Sequence, residues 1–197
     1  LSIPVLMMDI KGDISGLAAA GSENPKIKER QDKIGLPWTP NGYPVELLTI
    51  SKQDGLRMRA TVSEFGPVLM GKILELNDVQ GSVLSLIFKW CDDNGLPLLD
   101  LKDLKKVLQY ITNEGKAEIE KEYGKVSTST TGIILRKIVE MEQQGAELFF
   151  GEKSFEVEDL TRISDDGYGV INVLRLNDIQ DRPKMFSTFM LCLLAEI

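Results

Sequence analysis

Two short stretches hold residues whose types and spacing could handle phosphate. GPVLMGKI, Gly66 to Ile73, meets the phosphate-loop template G-x-x-x-x-G-K-[ST] at Gly66, Gly71 and Lys72, then fails it at Ile73, which has no hydroxyl for magnesium. A phosphate cradle needs small residues that leave backbone N–H groups open, but here the interior is Pro67, Val68, Leu69 and Met70. Proline removes one donor outright. Val68, Leu69, Lys72, Ile73, Leu74 and Leu76 instead repeat at helical spacing behind Pro67, a residue favoured in a first helical turn. The expectation is a helix and no phosphate site. The second stretch, DIKGD at residues 9–13, follows an apolar run and sets Asp9 and Asp13 at the carboxyl end of a strand, where α/β proteins gather ligands. A simpler role is also open: Asp9 ends the strand and Asp13 caps the next helix.

Composition narrows the chemistry. The chain has no histidine, so the usual base of serine and cysteine hydrolases and the commonest zinc ligand are absent. Two cysteines exclude a four-cysteine zinc site, and no metal ligands are assigned within the chain; a hard cation such as magnesium, held by carboxylates and water, is the natural guess for any metal. A net charge of −7 argues against a broad nucleic-acid footprint, although a local basic strip in an oligomer would escape that argument. With 43% hydrophobic and 27% charged residues and no apolar run near the roughly 20 residues of a span, a globular chain with no membrane partner is expected. LSIPVLMMD lacks the basic flank and cleavage site of a secretory signal, and Cys91 and Cys192 sit in apolar helical patterns as small core residues. A cytoplasmic location follows as an expectation.

The elements that must position these residues are legible in outline. Ile3 to Met8 reads as a strand buried on both faces, as in a parallel sheet. A short helix over Ile14 to Ala20, a polar helix through Lys26, Lys28, Glu29 and Arg30, and a loop with Pro37, Pro40 and Pro44 follow. Val45 to Ile50 and Arg57 to Val62 read as strands around an Asp54-Gly55 turn. Residues 66–145 read as a helical block. Asn77 with Gln80 resembles a capping box, Asp100 caps a second helix, Lys116 to Tyr123 forms a charged one, and Ser127 to Thr131 leads into another. The lysines of LKDLKK read as a solvated face. Val170 to Leu174 returns to strand, and a final helix carries Phe186, Phe189, Met190, Leu193, Leu194 and Ile197 without a capping signal. The order implies one α/β domain over residues 1–197 with a large helical insertion.

VLMMDIKGDISGLAAAG, RATVSEFGPVLMGKILELNDVQ, GLPLLDLKDLKKVLQYI, EYGKVSTSTTGIILRKIVEMEQQGAELFFGE and GYGVINVLRL together resemble the HerA-like ATPases of the YjgR type in the FtsK/HerA superfamily. The resemblance covers essentially the whole chain. It implies part of a RecA-like P-loop ATPase core, with the Walker A loop before Ile3 and the Walker B pair after Ile197, and a full-length protein that is an ATP-driven DNA translocase or helicase-like motor. It implies ATP and Mg2+ for the full-length form and no tight nucleotide binding by this segment. Within DIKGD it places Asp9 and Asp13 near the attacking water and magnesium, with Lys11 and Gly12 beside the nucleotide; Asp13 stands where many relatives have glutamate. Arg136 in GIILRKI matches a family arginine, and ring ATPases use arginines in trans on phosphoryl-transfer charge; a solvated helix arginine is the plainer reading. STSTT is compatible with phosphate contact or with a helix cap. The partners implied are further copies in a ring, and DNA. In a RecA-like sheet the Walker strands are central, so Ile3 to Met8 and Val170 to Leu174 are expected to show open edges. The rival reading is a non-catalytic helical interaction module that meets a protein partner.

Overall fold

Four strands form one sheet in the computed structural model, which describes residues 2–196: β1 (Val5–Asp9), β2 (Val45–Thr49), β3 (Leu56–Arg57) and β4 (Ile171–Arg175), in the order β1-β4-β2-β3. β1 and β2 both run parallel to β4, with Val5 and Val45 opposite Ile171, and Asp9 and Thr49 opposite Arg175. The chain is therefore α/β. Seven α-helices are present among the described residues, α1 (Pro25–Ile34), α2 (Val62–Ile73), α3 (Asp78–Asp93), α4 (Leu101–Thr112), α5 (Lys116–Glu122), α6 (Thr128–Gln143) and α7 (Pro183–Glu196). No helix among the described residues is long and apolar enough to cross a membrane.

The chain divides into two compact units. The first, Leu1–Thr49, Gln53–Leu56 and Glu156–Asn177, holds β1, β2, β4 and α1. Its centre is β4, where Asn172, Val173 and Leu174 are fully buried. The 3-10 segment Val157–Thr161 packs toward the face of the sheet that carries Asn172, whose Nδ2 donates to the Leu160 carbonyl at 3.0 Å. On the same face Arg162 pairs with Glu46. The expectation for the two strands is half corrected here. β4 has neighbours on both sides, whereas β1 is the edge strand; Val5 is 42% exposed and Ile3, outside the strand, 65%. An unbroken apolar run marks a strand that touches apolar neighbours, but it does not say on which side the next strand lies.

The second unit, Ile50–Lys52, Arg57–Phe155 and Asp178–Ile197, carries α2 to α7. Its core is Met58, Met70, Leu84, Ile87, Leu104, Leu108, Ile134, Ile138 and the rings of Phe149 and Phe189. Ile197 lies outside the described residues. Arg57 to Val62 is not a strand beyond Arg57, because Thr61 opens α2: its hydroxyl accepts from the Glu64 N–H and its own N–H donates to Glu64, each at 3.0 Å. Burial pushes the Glu64 carboxyl up, but the bonds from Thr61 and the ammonium of Lys153 outweigh it and hold the group below the usual range. This cap is thus intact above the ordinary carboxylate range and lost as pH falls through the lowered value. The T-x-x-E signal outranks the β-branched residues around it.

Asn77 and Gln80 form the expected capping box, and Asp100 caps α4 through the Lys102 and Asp103 N–H groups. Within LKDLKK, Lys105 is not on a solvated face; it pairs with Glu142 of α6 at 2.7 Å, both side chains largely covered. Cys91 and Cys192 are both buried and neither is in a disulfide, and burial raises the Cys91 thiol to about 11, where it is unreactive at neutral pH.

Candidate functional site

Residues 67–73 are helix, as the spacing requires. The helical conformation breaks at Gly66 (φ 70°, ψ 167°) and resumes at Pro67, and Met70 and Ile73 face the core while Val68 is 68% exposed. Lys72 lies in the last turn of α2, and the Met70 carbonyl accepts the Leu74 N–H. GPVLMGKI is an ordinary helix with no phosphate cradle.

DIKGD leaves the sheet at the carboxyl end of β1. Asp9 is the last residue of that strand and is 1% exposed. Its carbonyl accepts the Leu176 N–H at 2.9 Å, which pins its main chain beside the exit from β4. Its carboxylate turns back into the loop and accepts the Gly12 N–H at 2.6 Å and the Ile14 N–H at 3.2 Å. Gly12 sits at φ +84°, a left-handed conformation that costs glycine nothing and lets its N–H face Asp9. Asp9 therefore braces the loop. Asp13 occupies the cap position of the 3-10 segment Ile14–Ala18 but makes no cap bond with its side chain, so the capping work falls to Asp9. Lys11, Gly12 and Asp13 are exposed on the outer side of the loop.

Loss of the brace has a measurable consequence. Asp9→Ala removes the acceptor from two backbone N–H groups and is expected to cost about 1–3 kcal/mol, read by chemical denaturation. Asp9→Asn keeps an acceptor oxygen and should recover part of that loss, whereas Asp13→Asn, on an exposed side chain, should stay within about 0.5 kcal/mol of wild type. Equal melting of D9A and wild type would refute the brace.

The strand register adds residues that sequence reading missed. Asp9, Arg175 and Thr49 are in-register neighbours on β1, β4 and β2, so their side chains share one face at the carboxyl ends of three parallel strands. Arg175 is partly open to solvent, and its Nη1 donates to the Asp54 carbonyl at 3.0 Å. Asn177 follows closely, with its side chain 3.5 Å from where a Cβ on Gly12 would stand and its amide oxygen accepting from Gln53 at 2.8 Å. A charged residue ending the apolar alternation of INVLR was the available signal. Its significance depends on β1 lying alongside.

Arg136 belongs to the second unit. It is exposed on α6, opposite the buried Ile134 and Ile138, with its guanidinium folded over its own helix near Gly132. In STSTT, Ser127 holds the cap position of α6 without a side-chain bond, and Thr131 is buried with its hydroxyl donated to the Thr128 carbonyl at 3.1 Å. Ser127, Thr128 and Ser129 remain exposed.

Magnesium binds through one or two carboxylates together with substrate phosphates. Both oxygens of Asp9 already accept backbone N–H bonds, and among the described residues no group of three or more His, Cys, Asp or Glu could hold a metal ion. These side chains do not make a magnesium site on their own.

The helicase HerA-like C-terminal family model matches residues 1–197, the whole chain. The chain belongs to that family. No curated protein sequence matches this HerA-like domain. Membership is consistent with the α/β sheet.

Proposed function

We propose that this HerA-like domain is an interior part of a RecA-like P-loop ATPase whose full-length form couples ATP hydrolysis to movement on DNA. The observation that carries the reading is the family match over all 197 residues. Support comes from the site geometry, since the DIKGD loop is braced by a buried carboxylate at the carboxyl ends of parallel strands, the usual ligand side of such sheets. In this reading both units belong to one ATPase domain of the YjgR type, with residues 66–145 as its helical insertion, working in the cytoplasm. The chain itself has no complete G-x-x-x-x-G-K-[ST], so the phosphate loop, and the groups that hold magnesium, come from sequence outside these residues.

The roles then follow from placement. Asp9 fixes the loop. Asp13 is the carboxylate free to orient the attacking water, with Lys11 and Gly12 next to the nucleotide. Arg136, outward-facing on α6, is available to the nucleotide of a neighbouring subunit in a ring. A second reading has one observation in its favour: the helices form a compact unit with a core of their own, as an interaction module would.

Titration of ATP and Mg2+ separates the two. The 197-residue chain should bind ATP weakly, and a longer chain that adds an upstream G-x-x-x-x-G-K-[ST] segment should bind it tightly and hydrolyse it, faster with DNA present. In the longer chain Asp13→Asn and Arg136→Ala should each lower kcat by about tenfold or more, equivalent to roughly 1.4 kcal/mol of barrier, with unchanged melting. Equal, tight ATP binding by both chains would overturn the segment reading; no hydrolysis by the longer chain would favour the module.

A further inference from the structure

The face that carries Asp9 also carries a cation without an anion. Arg175 stands between Asp9 and Thr49 in the register of the three parallel strands, and neighbouring strands lie only about 4.8 Å apart. The nearest carboxylate in that row does not serve it. Asp9 directs its oxygens to Gly12 and Ile14, and Arg175 forms no ion pair among the described residues. The guanidinium gives Nη1 to the Asp54 carbonyl, while its Nε is buried and has no hydrogen-bond partner.

A guanidinium presents its donors as a planar fork that matches the oxygens of a carboxylate or a phosphate. A buried donor left without an acceptor is costly, so an arginine kept in this state at a ligand edge is poised for an acceptor supplied from outside. We propose that Arg175 is an oxyanion-binding residue of this domain, and that its ligand is the polyphosphate of a nucleotide. The inference rests on the ATPase reading for the identity of the ligand, although the unpartnered Nε is observed without it. A nucleotide fits better than a nucleic-acid backbone for two reasons. The site is a single, partly exposed arginine, whose one guanidinium suits a single phosphate group, and a duplex or strand would require an extended basic strip that a chain of net charge −7 does not signal. Lys11, exposed on the loop that Asp9 braces, adds positive charge on the same sheet edge. Arg175 thus complements Asp13: one group grips phosphate oxygen and the other faces water.

The Nε–H resonance of Arg175 reports the contact directly. In the 197-residue chain, its nitrogen–proton signal is assigned by its disappearance in Arg175→Lys, and inorganic triphosphate is then titrated. The expected result is a saturable shift of that signal, with triphosphate affinity at least about tenfold weaker in R175K, which keeps the charge but loses the fork. An unmoved signal at saturating triphosphate, or equal affinity of R175K and wild type, would overturn the proposal. So would a shift produced by a single-stranded DNA oligomer and not by triphosphate. Should R175K fail to fold, Arg175→Gln supplies the assignment, and the wild-type shift still decides. The two readings fail separately: ATP hydrolysis by the longer chain with an unmoved Arg175 signal removes only this contact, and a triphosphate shift without hydrolysis leaves the contact and removes the motor.

Discussion

Phe149→Ala is expected to unfold the helical unit more readily than any surface change, at a cost of about 3–5 kcal/mol. The ring is 1% exposed and lies at the centre of a chain of edge-to-face contacts. It meets Phe150 at 5.1 Å and Phe189 of α7 at 5.8 Å, and Phe150 in turn meets Phe65 of α2 at 5.5 Å. Removal therefore empties a volume bounded by three elements and forfeits two ring–ring contacts, each worth about 0.5–1.5 kcal/mol beyond its buried area. Because the surrounding helices cannot all close on the space, the cavity persists and the loss stays near the upper end of the range. Trp90, buried in the same unit, supplies the probe. Its fluorescence should report a midpoint lowered by roughly 6 °C or more, using about 2–4 °C per kcal/mol for a chain of this size. A shift below 2 °C would show that the aromatic cluster is not what holds α2 and α7 together.

Gly169→Ala should damage the other unit and, through it, the candidate site. A Cβ at Gly169 would lie 2.1 Å from both the carbon and the oxygen of the Ile3 carbonyl and 2.3 Å from the Pro4 nitrogen. These are backbone atoms just before β1, so no side-chain rotation relieves the overlap. Either residues 3–4 retreat or the turn before β4 moves, and each option strains the bond from the Val5 N–H to the Val170 carbonyl at the start of the ladder. Overpacking of this kind costs about 1–3 kcal/mol, and rigid neighbours put the value at the top of that range. Amide exchange in β1 should quicken while exchange in α3 and α4 remains as in wild type, since those helices lie in a different unit. Asp9 depends on β1 for its place, so the same variant should lose the protection of the Gly12 N–H. Undisturbed exchange at Val5 and Gly12 would contradict the close approach.

Local signals account for much that was legible. Asn77 and Gln80, Asp100, and Pro67 each act over one helical turn, so their effect does not depend on distant residues and can be read from neighbours alone. The same range of interaction made the T-x-x-E start at Thr61 available, and it was overlooked because Thr61 and Val62 also suit a strand. The chemical character of DIKGD was visible, but not its division of labour. That division is set by burial: Asp9 is enclosed and must satisfy backbone donors, while Asp13, four residues on, is left to solvent.

By itself the sequence determined where the helices capped by Asn77 and Asp100 start, that GPVLMGKI cannot cradle phosphate, and that histidine and multi-cysteine chemistry are closed to this chain. These facts follow from residue type and from contacts within a turn. Only the tertiary structure decided that β4 lies between β1 and β2, because parallel strands are paired across more than a hundred residues of intervening chain and apolar runs do not encode their neighbours. With that order fixed, Asp9, Arg175 and Thr49 come into one row at the carboxyl ends of three parallel strands.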